Sequence, residues 1–435
     1  MAAPTGITLR AYDVGFGDCF LLSFNYGNSA RHVLVDFGST RLPTKKLGKG
    51  PYLERIARQI AEDCDHKLTA VVVTHRHKDH MSGFAISGDQ GPGAIIRALK
   101  PEVVIQPWTE DPKAAPDAKG LAKGLGGERL QRGLYLRSLI DMNHFAGYVR
   151  TAAKSLRGSE LKVAREQLDF LGDDNELANR TAVLNLMDMG KRKPRYLASG
   201  EPSGLERLLP GVKVHVLGPP TLKQDPRVAA QTAKHADEFW HLRASFWARR
   251  GAMARQRPGA GSPLFRDAHL ARVPWDARWY AYKAQRELAD SLLSIVRALD
   301  DAMNNTSLNL LFEIGKTCLL FPGDAQWENW RYALEQPKYR KLLARVNVYK
   351  VGHHGSLNAT PKSMWNELAS RGGKSKPDRL VALLSTKEHV HGSEAAHTEV
   401  PRKVLVDALL KDSTVLDTRD TSDGGLRITH HLDLG

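Results

Sequence analysis

Leu68-Thr69-Ala70-Val71-Val72-Val73 runs directly into Thr74-His75-Arg76-His77-Lys78-Asp79-His80, and this junction decides the fold. The apolar, β-branched run carries no charge and predicts a buried strand. Three histidines and an aspartate then fall between positions 75 and 80, a density of imidazole and carboxylate that suits zinc, manganese or iron. In an extended segment His75 and His77 are two apart and point the same way, so they can clasp one metal. Asp79 and His80 follow where the chain turns and can clasp a second metal beside it. A solvated polar loop explains a single histidine after a strand; it is a poor account of HxHxDH.

Working outward, residues 1–107 read as strands with short connections: ITLRAYDV, DCFLLSF, HVLVDFG and LTAVVVTH, bounded by Gly, Asn and Asp turns. PYLERIARQIAE has Pro51 at a plausible helix start, and AIIRALK then PEVVIQP reads as helix followed by strand. Residues 108–303 differ. Helical periodicity dominates LYLRSLIDMNHFAGYVRTAAKSL and SELKVAREQLDFL, a β-like island is expected at AVLNLM, YLAS and VKVHVLGPP, and a Trp/Arg-rich helical stretch follows. This is a largely helical, basic insertion carrying some strands of the main sheet. Residues 304–435 return to strands: SLNLLFEIG, TCLLFPGD, VNVYKVG, RLVALLST and LRITHHLDL, with helices at WENWRYALE, PKSMWNELAS and PRKVLVDALL. The outer stretches form two αβ halves of one α/β sandwich.

A two-metal site needs a ligand between the ions and another closing the second ion's shell. Asp324 in FPGDAQ follows the strand TCLLF, and His353 and His354 in YKVGHHGS follow VNVYKV. Each stands at the carboxyl end of a strand in the second half, mirroring HRHKDH in the first.

In this order, DVGFGD (Asp13 to Asp18), VDFG (Val35 to Gly38), THRHKDHMSGF, NNTSLNLLFEIG, LLFPGDA and YKVGHHGS resemble the metallo-β-lactamase superfamily, closest to the β-lactamase-like domain of ComEC-type DNA-uptake channels and its stand-alone relatives. The resemblance covers residues 6 to about 107 and 304 to about 435. It implies an αββα sandwich with a dinuclear site at one edge, binding Zn²⁺ or Mn²⁺ and hydrolysing phosphodiester or related bonds through a hydroxide shared by the two ions. His75 and His77 would hold the first metal, Asp79, His80 and His354 the second, and Asp324 would bridge them. His353 would face the substrate as proton or hydrogen-bond donor, and Asp36 would fix a ligand histidine from behind. Asp13 and Asp18 lie on a Gly-containing loop near the site, where turn formation alone would also account for them.

The departures are informative. The superfamily's third histidine on the first metal is replaced here by Met303-Asn304-Asn305-Thr306-Ser307, so the first metal is more open or more weakly held, with Asn304 and Asp18 as accessory positions. The long insertion keeps the family's substrates from being transferred. Related sequences carry a His-Pro-Glu-like element where this chain has His397-Thr398-Glu399; His397 is a candidate acid or phosphate contact, with His389 and His391 as accessory contacts, and Thr398 is equally a helix cap.

Composition narrows the class. The chain has 435 residues and a net charge of +15, which favours polyanionic partners. No secretory signal and no membrane-spanning run is visible, which predicts a cytoplasmic protein without membrane contact. Cys19, Cys64 and Cys318 do not make a disulfide framework, and Cys19 and Cys318 read as small buried hydrophobes. Trp247, Arg249, Arg250 and Arg255 in the insertion suit a strand of nucleic acid, with indole stacking and guanidinium on phosphate. The same residues suit a helical cap with its own small core, or a protein-partner surface. The leading functional expectation is a two-metal phosphodiesterase or nuclease. A hydrolase of a non-nucleic ester, thioester or lactam, and a metal-bound scaffold subunit of a defence or repair complex, are the alternatives.

Overall fold

In the computed structural model, the described residues are 3–43, 51–113, 119–121, 180–229, 303–356, 359–390, 399–421 and 425–434, with isolated positions at 149, 151, 154, 168 and 286. Alternating and apolar runs at the start form an antiparallel meander, β1 (Gly6–Tyr12), β2 (Cys19–Tyr26) and β3 (Ser29–Phe37). Helix α1 (Tyr52–Asp63) buries Ile56, Ala57, Ile60 and Ala61, a spacing of one helical face, and returns the chain parallel to β3 as β4 (Ala70–Val72). The short α2 (Lys78–Met81) follows, then α3 (Pro92–Ala98) and the parallel strand β5 (Val103–Pro107).

Segment 108–303 contributes helix α4 (Arg180–Asp188) and strands β6 (Arg195–Leu197) and β7 (Lys213–Gly218). The third stretch supplies β8 (Asn309–Ile314), β9 (Thr317–Phe321), α5 (Trp327–Glu335), α6 (Pro337–Leu343), β10 (Val346–Lys350), α7 (Lys362–Glu367), β11 (Val381–Leu384), α8 (Lys403–Asp412), β12 (Thr414–Asp417) and β13 (Arg427–Asp433). Two mixed sheets result, ordered β13-β1-β2-β3-β4-β5-β6 and β12-β11-β10-β9-β8-β7. The chain is of the α/β class.

Three buried clusters organise the layers. One joins the first sheet to α1, α3 and α4 through Leu34, Val71, Ile56, Ile60, Ile96 and Leu186. The second lies between the sheets, where Leu9, Phe20 and Phe24 meet Phe312, Leu319 and Phe321. The third joins the second sheet to α5–α8 through Leu320, Tyr349, Trp330, Leu343, Met364 and Leu409.

The structure corrects two readings of the sequence. AVLNLM is helical, within α4, rather than a β-like island. Ala182, Val183 and Leu186 are buried while Asn185 donates its amide to Phe84 O (2.9 Å) and Gly93 O (3.1 Å), so the run obeys a helical spacing that six residues are too few to reveal. LRITHHLDL is a strand, but β13 pairs antiparallel with β1 and so completes the first sheet. Among the described residues, no helix is long and apolar enough to cross a membrane.

Burial leaves a pH signature at His32, on β3. Its ring bonds Ser23 Oγ through Nδ1 (2.9 Å), and burial lowers its pKa to about 4 from an ordinary 6.5. The unfolded chain therefore takes up a proton that the folded chain refuses. The stability at stake is complete above pH 6.5 and is lost as pH falls toward 4. A His32→Gln variant should flatten this dependence: between pH 7 and 4.5 the parent should lose about 2–3 kcal/mol more than the variant, read from urea midpoints.

Candidate metal centre

Apart from Asp18, which precedes β2, the groups of the centre stand at or just beyond the carboxyl end of a strand. β3 carries Asp36, β4 leads to Thr74–His80, β9 to Asp324, β10 to His353 and His354, and β11 to Ser385. Two close approaches make this assembly possible. A Cβ on Gly38 would lie 2.5 Å from Lys78 O and Met81 N, so glycine lets VDFG touch α2. Gly323 takes φ +58°, and a Cβ there would lie 2.6 Å from the Thr74 side chain, so the turn that aims Asp324 needs a glycine.

Asp79, His80, Asp324 and His354 form one buried group whose ligand atoms all lie within 4.8 Å of one another, and His75, His77 and Asp79 form a second. Asp79 is the residue common to both. Asp324 belongs to the first group, beside the shared Asp79.

The contacts fix how each ring is presented. His80 Nε2 faces Asp324 Oδ2 at 3.0 Å while its Nδ1 meets Asp36 Oδ2 at 2.9 Å. Asp36 is held in turn by the Thr74 backbone N–H (2.7 Å) and hydroxyl (2.8 Å). His354 Nε2 faces Asp79 Oδ2 at 2.6 Å, and its Nδ1 meets the Ser385 carbonyl at 3.0 Å. Asp324 turns its other oxygen, Oδ1, to the His353 backbone N–H (3.0 Å) and to Lys350 Nζ (3.3 Å). In the second group His75 Nε2 and His77 Nδ1 are bonded ring to ring at 2.9 Å.

His353 and His354 both occupy the left-handed region, at φ +44° and +51°, a strain of about 1–3 kcal/mol each that the bonds to Asp324 and Ser385 hold in place. The His353 ring is half-buried, and its Nδ1 has no hydrogen-bond partner.

The charge pattern is compatible with bound cations. Burial acts to lower His80 and His354, yet the surrounding carboxylates outweigh it and hold both above the ordinary imidazole range. Burial likewise acts to raise Asp79 and Asp324, and His80 outweighs it, aided by His354 at Asp79 and by Lys350 at Asp324, so both carboxylates sit below their usual range. Positive charge is thus drawn to the place where the two Nε2 atoms converge on carboxylate oxygens, and buried Asp79 Oδ1 has no hydrogen-bond partner. His75 and His77 are pushed down, first by burial, His77 to about 4, and so present neutral nitrogens. Neutral imidazoles and ionised carboxylates are the forms that ligate, so His75 and His77 are already in that form, while His80 and His354 would exchange a proton for the metal. The residues fit divalent metal ions.

Asp18 is fully buried on the far side of the ligand rings, 3.7 Å from His80 Nδ1 and 3.6 Å from His354 Nδ1, and is ion-paired with Lys350. It lies on the Nδ1 side of both rings, and with Asp36 and His80 it forms a third buried group of candidate ligands. Asp13 accepts the Gly15 N–H, a turn contact. Asn304 is buried in the turn before β8, and Ser307 of that turn accepts the Asp324 N–H at 3.3 Å. Among the described residues His389 has φ +59°, beside Glu388, which pairs with Arg419. His391, His397, Trp247, Arg249, Arg250 and Arg255 lie outside the described residues.

Sequence reasoning missed Lys350, Ser385, Thr74 and the buried Arg76–Glu110 pair (3.6 Å). Of these, Lys350 left a signal, a charge at the end of the strand VNVYK that runs on into Val351.

Compared with models of known protein families and with the sequences of curated proteins, the chain matches none.

Asp36 offers a direct check on this arrangement. Asp36→Asn keeps the shape and tolerates the left-handed backbone (φ +56°) but gives up the charge behind His80. It should weaken ion binding about 10–100-fold in a chelator competition. Unchanged affinity would remove Asp36 from the metal's support.

Proposed function

We propose that this chain is a two-metal hydrolase of phosphodiesters, a nuclease or phosphodiesterase built on an αββα sandwich of the metallo-β-lactamase kind. The observation that carries it is the convergence of HRHKDH with Asp324 and His354 into two buried ligand groups sharing Asp79. The layering of helices, two sheets and helices agrees with that sandwich, and the net charge of +15 favours a nucleic acid or another anionic phosphodiester over a neutral ester.

His75, His77 and Asp79 would hold one ion, and Asp79, His80, Asp324 and His354 the other, with Zn²⁺ and Mn²⁺ both suited to this nitrogen and oxygen set. Bound there, such ions supply positive charge for a phosphoryl transition state and bring the pKa of water toward 7. The protein's part is orientation. Asp36 and the Ser385 carbonyl each engage an Nδ1, leaving Nε2 of His80 and His354 for ligation. Lys350 and the His353 N–H restrain one oxygen of Asp324 and leave Oδ2 facing His80. Burial holds the His353 imidazole below its ordinary pKa, so at neutral pH it is uncharged and serves as a hydrogen-bond donor to the leaving oxygen rather than as a strong acid.

The test is turnover of a bis-aryl phosphodiester, and of single- and double-stranded DNA and RNA, by chelated protein reconstituted with Zn²⁺ or Mn²⁺. Metal-dependent cleavage is expected. Protein carrying two equivalents of metal that cleaves none of them would end this reading.

A further inference from the structure

The two groups differ in number of donors, in charge and in backing. The Asp79–His80–Asp324–His354 group brings four residues, two of them carboxylates; His75–His77–Asp79 brings three, and its one carboxylate is shared. In the larger group three ligands are braced from behind, His80 by Asp36, His354 by the Ser385 carbonyl, and Asp324 by Lys350 and the His353 N–H, whereas in the smaller group the neutral Thr74 hydroxyl meets His75 Nδ1 at 3.2 Å. The positive charge of Lys350 beside Asp324 is matched by Asp18. Ligand atoms touch one another in both groups, so the difference lies in the number of donors, their charge and their support. Metal affinity follows ligand charge and rigidity, and each supporting partner is worth about 10–100-fold.

We infer that the two positions load in order: Asp79–His80–Asp324–His354 takes the first ion and keeps it, and His75–His77–Asp79 takes a second, exchangeable ion. The inference rests on the reading above that divalent ions occupy these groups. It makes the second ion the one that ambient metal controls, so the protein would be singly loaded over a wide range of metal concentration.

The test is a Zn²⁺ titration of the chelated full chain against a chromophoric competitor, with metal counted after dialysis. Two steps separated by at least about 100-fold are expected, with one equivalent surviving dialysis. His77→Ala should keep that equivalent, and His354→Ala should lose it. Two ions of equal affinity, or loss of the retained ion in a folded His77→Ala protein, would overturn the order. Should His354→Ala not fold, the parent titration and His77→Ala still decide. Phosphodiester cleavage by protein holding two equally tight ions would refute the order and leave the proposed function standing. Stepwise loading without any cleavage would do the reverse.

Discussion

An Asp79→Ala protein is expected to lose metal from both positions and to cleave phosphodiesters at least about 10³-fold more slowly than the parent. Asp79 has this reach because it joins the His75–His77 group to the His80–Asp324–His354 group. Its removal also takes away the carboxylate 2.6 Å from His354 Nε2, the contact that holds this imidazole above its ordinary pKa. Two measurements decide it: metal per chain after dialysis, and single-turnover cleavage at saturating metal. A variant that retains two equivalents would show that Asp79 is a bystander and leave Asp324 as the bridging residue.

The second large effect concerns stability. Phe312 on β8 is fully buried between the sheets, its ring 6.0 Å from Phe24 of β2 and 6.2 Å from Phe321 of β9. Phe312→Ala removes most of a ring from a close-packed layer that cannot collapse without moving two sheets. About 3–5 kcal/mol of destabilisation is expected in urea unfolding. Metal binding by the fraction still folded should be unchanged, since the cavity opens in the layer rather than among the ligands. A loss under 1 kcal/mol would mean that the sheets repack freely.

Much of the centre was legible because its ligands obey local rules. HRHKDH ends a charge-free strand, and Asp324 and His354 each follow a strand after a short turn, so their placement needs only the strand reading. What surrounds them was legible only in part: Asp36 behind His80 was expected from the resemblance, and the rest was not. Ser385 contributes a backbone carbonyl, which has no sequence signature, and Asp18 reaches His80 and His354 only once β10 and β4 are brought together. Fold-level reading failed where the run was short or the pairing distant. AVLNLM has too few residues to separate a buried strand from a helix face, and nothing in LRITHHLDL states which sheet it will join.

That last pairing reaches beyond architecture. Gly6 faces Asp433 and Tyr12 faces Arg427, so the edge of the first sheet is sealed by residues from the opposite end of the numbering. Loop closure on that scale is slow, and until it happens β1 offers a row of unpaired amides and carbonyls to any passing strand. A proteolytic nick that strips away 427–433 would turn the protein into a template for aggregation while every ligand of the metal centre was still in the chain. Its quality in a cell would then be judged by the integrity of a seam, well before any loss of chemistry could be noticed.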